Sequence, residues 1–500
     1  LNTFGSSVHF ASEGIHYWDV NCVDRNFNWA DNNSGAQWDV NYYVASQAPA
    51  EPIYFAKRFG STNSDSGSAI ASDSFGNIYF SGSFYYNSSF GDFNLSSSAM
   101  QSFIAKIDSN GNYIWAVKSG ALGDGIVVDS QSNVYLTGKF RSDAVFGDIN
   151  LSYSGDPEED SDIFVAKLDS DGEWVWVKGA GYGRSFGESA VFPDAGVGVA
   201  LNSSGELYVS GYFSGKASFG DINIDAAGVG DDMDAFVAKV DAETGDWVWV
   251  KKVGGIFDET GSKITIDNSG NLYLAGNFNS NFKGSFSCDG LDVNSSGYGA
   301  VFVIKMSGDG NCISAQSASP ASSGVIYVND IVSDESTTYL TGYYTRGATF
   351  GDLNLSSIGS YYSNAFVAKF SDGNWVWAKR FGSFSVDGIQ NEGHGLAIDS
   401  AGKLYLTGYF SGSVTCGSSV IAPVGKYDAF VAEFSSDGNC LWSSRGGGEA
   451  YDAGYGIAVN SEGKVFATGF FQGSEVSFDQ DNFSSLGYND GFVWKVRPAE

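Results

Sequence analysis

Two pairs of cysteines in this 500-residue sequence have the spacing to form covalent cross-links. Cys288 and Cys312 lie 24 positions apart, as do Cys416 and Cys440, and both second members follow the turn DGNC. In the corresponding segments, Phe90, Phe146, Phe219 and Phe350 stand where the first members stand. Tyr113, Trp174, Trp247 and Trp375 stand where the second members do. A phenylalanine–aromatic contact has been exchanged twice for a Cys–Cys pair, so disulfides are expected within each segment. Buried free thiols are the alternative. Zinc fits less well, because no histidine lies near and the spacing matches no zinc motif. Each bond would close a loop worth roughly 3 kcal/mol and would place the protein outside the cytoplasm. Cys22 is left over, as a free thiol or as a link to another chain.

A second set of chemically capable residues is acidic. Asp65, Asp124, Asp194, Glu259, Glu392 and Asp452 each come shortly before a glycine that opens a small-residue strand. Arranged in a ring, their carboxylates would suit Ca²⁺ or a polar ligand. Capping of each residue's own turn is the plainer reading and the preferred one. DSDGE (169–173) looks like part of a calcium loop but lacks the third acidic ligand and the final Glu, and reads as a tight turn.

Catalytic signatures are sparse. The histidines are His9, His16 and His394, and there is no phosphate-cradling loop. Carboxylates are plentiful enough for a two-carboxylate glycosidase, but no pair stands out from its repeat. A non-enzymatic protein is expected.

The elements that would position these residues are repeated. A short strand ending in glycine occurs seven times, as in GNIYFSG (76–82), GNLYLAG (270–276) and GKLYLTG (402–408). A strand of the AFVAK type follows each, then a turn, then one of the WVWVK type. Seven units of four strands, A to D, fill residues 51–500 and predict an all-β fold, a seven-bladed β-propeller of antiparallel blades. The segments Asp267–Gly276 and Asp234–Lys239 resemble the SBBP (seven-bladed β-propeller) repeat. The resemblance spans all seven units, although DESTTYLTG lacks the turn glycine and AVFVIK lacks the acidic residue. It implies a scaffold of the kind found in large bacterial and archaeal surface or secreted proteins, without implying a reaction.

The seventh unit stops at GFVWKVRPAE without a D strand, and the spare strand is IYFAKRFGS (53–61), which matches WVWAKRFGS (375–383). An N-terminal strand at 53–60 is therefore expected to complete the last blade and remove two raw sheet edges. Eleven lysines recur at two fixed places, one on strand C (Lys106, Lys167, Lys239, Lys305, Lys369 and Lys495) and one on strand D (Lys57, Lys118, Lys178, Lys251 and Lys379). They read as scaffold and as protection of strand edges.

Loop-length variation falls on the face formed by the B–C and D–A connections. That face carries the insertion at 179–196 and the acidic loops at 155–162 and 228–235. Residues 1–50 do not match the repeat and hold two aromatic segments, HYWDVNCV and AQWDVNYYV. They form a separate region, read as a hairpin, an upstream remnant or a contact arm for a homo-oligomer. The chain begins at Leu1 with no leader, as a processed chain or an internal fragment would.

A net charge of −31 repels phosphate backbones and argues against nucleic acid. No apolar run reaches the roughly 18 residues of a membrane span. The expected partners are other subunits or cell-surface glycans and proteins, in a secreted or surface-bound building block of a layer, filament or adhesin. A propeller binding glycans or proteins on its long-loop face is the alternative.

Overall fold

The computed structural model describes residues 54–498 apart from 154–159, 182–192, 229–231, 257, 279–284, 295–298, 322, 336, 357–361 and 383–389. The chain divides into two units, Leu1–Pro52 and Ile53–Glu500. The first, with Cys22 and both aromatic segments, lies outside the described residues, as do most of the long insertion and the tips of the two acidic loops.

The second unit is an all-β propeller. Unit one of the repeat forms strands Ser66–Ser72, Ile78–Phe90, Phe93–Ile107 and Tyr113–Ser119, hydrogen-bonded as neighbours in that order. The same antiparallel order recurs along the chain, and Ala453–Val459, Val465–Phe471 and Asp490–Lys495 are its last three-strand instance. Strand Phe55–Phe59 supplies the fourth member, with Phe55 opposite Lys495 and Phe59 opposite Gly491. Inner strands of successive units are neighbours, and Ala453–Val459 lies beside Ser66–Ser72, so the series returns on itself.

Side-chain alternation explains why these segments are strands. Strand C is apolar on both sides because neighbouring sheets cover both faces; Asp162–Leu168 is buried throughout. The A–B turn is built by its acidic residue. Asp73 accepts from the amides of Phe75 (2.9 Å) and Asn77 (2.8 Å), and from the Tyr79 hydroxyl (3.0 Å). Gly76, at φ 85°, supplies the left-handed residue the turn requires. DSDGE is the same device: Asp169 accepts from the amides of Asp171 and Glu173.

Adjacent sheets are latched together. Lys106 Nζ and Trp115 Nε1 both donate to the Ser170 carbonyl on the following C–D turn, at 3.1 and 3.0 Å. Lys167 and Trp176 treat Ala242 likewise, and Lys369 and Trp377 treat Ser436. The strand-C lysines are thus not edge protection. Their strand is third of four, and Lys106 lies 5.1 Å from the centroid of the Tyr79 ring. In the sixth unit Glu433 takes the lysine's place, accepting from Trp442 Nε1 at 2.6 Å and pairing with Lys403.

Between strands B and C the chain folds back as a small hairpin, for example Ala144–Phe146 with Ile149–Leu151. Its phenylalanine meets the start of its own strand D: Phe146 lies 4.9 Å from Trp174, and Phe219 4.9 Å from Trp247. Its other side reaches the preceding sheet. Ala348–Phe350 pairs with Ala318–Pro320, and Ser477 and Phe478 pair with Gly447 and Gly446. The hairpin therefore covers the end of an otherwise open edge.

Candidate functional site

Both expected disulfides are present, Cys288–Cys312 and Cys416–Cys440, with Cα atoms 5.9 and 5.0 Å apart. Each ties a B–C hairpin to the start of its strand D. The fold-back of that hairpin is what brings the two positions together.

The six acidic residues divide into two groups. Asp65, Asp194, Glu259 and Asp452 stand just before or at the start of the inner strand, and all are buried. Asp65 accepts from Ser61 N (2.7 Å), Ser61 Oγ (2.8 Å) and Tyr85 N (2.9 Å). Asp452 accepts from Gly448 N and Gln472 N, and Asp194 from Ser214 N. Glu259 accepts from Gly255 N at 2.7 Å. Asp65, Asp452 and Glu259 thus each hold an amide of the loop just before them, four residues back, while the Asp194 contact runs to the end of strand B. Burial pushes Glu259 up to about 8 and Asp452 to about 7.

Asp124 and Glu392 do not belong to that position. Each inner strand carries a one-residue bulge, at Gly67/Ala69, Gly123/Gly125 and Gly393/Gly395 among others. Asp124 is the bulged residue itself and lines the channel. Glu392 comes one place after Asn391, which occupies the capping position and is buried there. Counting from the nearest glycine placed both residues wrongly, because the bulge puts a second glycine into the pattern.

A cavity of about 310 Å³ lies between the inner strands, with Asp124, Lys263, Asp330, His394 and Tyr455 among its lining residues. Past the bulge, the facing residues are Ala69, Gly125, Gly198, Lys263, Asp330, Gly395 and Gly456. Small residues there let inner strands approach closely: a Cβ at Gly395 would lie 2.8 Å from the Tyr455 carbonyl. The two exceptions act as struts. Lys263 Nζ donates to the Asp124 carbonyl (2.7 Å) and the Val197 carbonyl (3.0 Å). Asp330 accepts from Leu396 N at 2.7 Å. Burial raises both Asp124 and Asp330, while Lys263 opposes the rise.

Beside this cavity lies an aromatic ladder that sequence reading did not single out. His394 lies between Tyr409, to which it is tilted (centroids 5.5 Å apart), and Tyr455, which it meets edge to face (5.2 Å). Tyr409 stacks on Tyr427 at 4.5 Å, and Tyr427 meets Tyr451 at 4.6 Å. Lys426 Nζ sits 4.2 Å above the Tyr451 ring and donates to its hydroxyl. Glu392 is set among the phenols: its carboxylate lies 3.8 Å from His394 Nε2, and burial raises it while the neighbouring Tyr409 hydroxyl opposes the rise. Burial pulls His394 down to about 4, so it is neutral at ordinary pH and its Nε2 has no hydrogen-bond partner. The traceable signal was an aromatic directly after the marker glycine in three successive units, Tyr343, Tyr409 and Phe470.

Metal-ligating groups are few. Among the described residues, the one cluster of three potential ligands is Cys288, Asp289 and Cys312, whose thiols are joined to each other. No helix of the described residues is long and apolar enough to cross a membrane.

Comparison with known proteins agrees with the fold. A family model described as a beta-propeller repeat, SBBP, matches residues 248–283. An uncharacterized WD repeat-containing protein of Acanthamoeba polyphaga mimivirus is 22% identical over 86% of this chain and 37% of that protein. The regulatory protein FlaEY of Caulobacter vibrioides is 26% identical over 74% of this chain and 38% of its own length. The chain thus spans less than two fifths of these curated relatives. Among solved structures, the beta-propeller domain of the Trilobed protease from Pyrococcus furiosus aligns at TM-score 0.40 and 9% identity, over 88% of this chain and 96% of that one.

Proposed function

We propose that this chain is a non-enzymatic building block of the cell surface or of secreted material, a seven-bladed propeller that holds and presents a binding face. The observation that carries the reading is the pair of disulfides at one repeated position. Each replaces an aromatic contact that serves other units, so an oxidising compartment is used to harden the scaffold. Counting the completed last sheet, the seven repeat units correspond to seven sheets in one closed series. Closure by a strand from the far end of the sequence supports a rigid part better than a hinged one. Fractionation of the source cells, with thiol labelling before and after reduction, tests the reading. Unlabelled cysteines in a surface or secreted fraction are expected; free thiols in a cytoplasmic fraction would overturn it.

The alternative role, ligand binding on the B–C/D–A face, is favoured by the aromatic ladder. It is compatible with the scaffold reading, because an adhesin needs both.

A further inference from the structure

We infer that the ladder around Tyr427 and Tyr451 is the binding site of a neutral oligosaccharide; the inference rests on the surface-scaffold reading and names its ligand. Charge narrows the chemistry first. A chain at −31 disfavours acidic polymers, so the ligand is uncharged or weakly basic.

The arrangement itself points to a polyol. Tyr427 and Tyr451 come from two different loops, the B–C loop of the sixth unit and the D–A loop that follows it, held side by side by a parallel bridge at these two residues. Equivalent bridges elsewhere join Ser64 to Asn489 and Ser161 to Pro193, so ring stacking is not what the bridge requires. Both tyrosines are half-buried. Behind them, Glu392 offers an acceptor and His394 Nε2 a buried polar atom without a partner. A sugar ring presents C–H groups on one face and hydroxyls at its rim. Aromatic surface bordered by phenols, a carboxylate and an imidazole meets both.

Lys426 is the movable part. Its ammonium lies over the Tyr451 face at 4.2 Å from an exposed backbone position. An exposed cation–π contact is worth only about 0.5–1 kcal/mol. An arriving sugar displaces it and takes the ring face.

The test is calorimetry of the full chain with cellohexaose, chitohexaose and mannohexaose, up to millimolar concentrations. Saturable binding of at least one is expected. Tyr451→Ala should weaken it by about tenfold or more, and Lys426→Ala should leave it unchanged or tighten it, because the lysine competes for the ring. Melting curves establish that the variants are folded, and Tyr451→Leu replaces the alanine variant if that one melts early. Absence of heat with all three sugars overturns the inference, as does wild-type affinity in the Tyr451 variant. Either failure leaves the scaffold reading intact, since fractionation and thiol labelling decide that one separately.

Discussion

The ring of Phe59 lies over Gly491, where its edge occupies the space a side chain would need. These two residues are paired across the strand junction that joins the two ends of the propeller. Phe59 also packs on Phe80, Phe90 and Phe103 of the first sheet, at 5.4, 5.4 and 5.0 Å. One side chain from the N-terminal strand thus fastens the last sheet to the first. Phe59→Ala should cost about 3–5 kcal/mol, and deletion of residues 53–60 more, because it also removes the backbone ladder. Thermal melts of both variants check this, with the deletion expected to melt lower.

The disulfides make a second prediction. If each replaces an aromatic contact, the double change Cys416→Phe with Cys440→Trp restores what Phe146 and Trp174 do in the second unit. That variant should keep a melting temperature near the oxidised parent and lose its sensitivity to reductant at that unit. Cys440→Ala should instead lose roughly 3 kcal/mol. Melts with and without dithiothreitol separate the cases.

How far sequence reading reached follows from what each feature depends on. The Phe–Trp and Cys–Cys positions were legible because they recur in the alignment of units, and a recurring pair implies a contact in any closed repeat. The closing strand was legible for the same reason, since AKRFGS has a second copy with a known place. What stayed hidden depends on register. The bulge between Gly393 and Gly395 leaves His394 unpaired at the cavity, and the second glycine it adds makes Glu392, one place past the capping Asn391, look like the capping residue. The roles of Lys263 and Asp330 were hidden too, because their partners are carbonyl and amide groups of other units. A backbone partner leaves no trace in residue type.

Buried carboxyls set the pH dependence. Burial raises Glu259 to about 8, Asp162 and Asp452 to about 7, and Asp234 and Asp490 to about 6. A folded-state value above the unfolded one means that folding favours the protonated form. Stability from these groups is then fullest below the unfolded carboxyl value of about 4 and falls as pH rises toward 8. Carboxylates with lowered values, such as Asp73, act in the opposite sense, but below that window. The melting temperature is therefore expected to be higher at pH 5 than at pH 9. Glu259→Gln should raise it at pH 9 and leave it nearly unchanged at pH 5, which calorimetry at the two values checks.

Lys263 supplies the last prediction. Its ammonium bridges carbonyls of two other units across the channel and faces two buried carboxyls, Asp124 and Asp330. Removing one partner of a buried charge arrangement leaves the other uncompensated, at a cost of about 3–5 kcal/mol. Lys263→Met keeps most of the volume and loses the charge together with the two carbonyl bonds, so its cost measures polar interactions more than packing. Pairing it with Asp330→Asn removes one of the stranded carboxylates and should recover part of the loss. A double-mutant cycle read by chemical denaturation decides: strictly additive effects would mean that the lysine holds the inner strands through its carbonyl bonds alone.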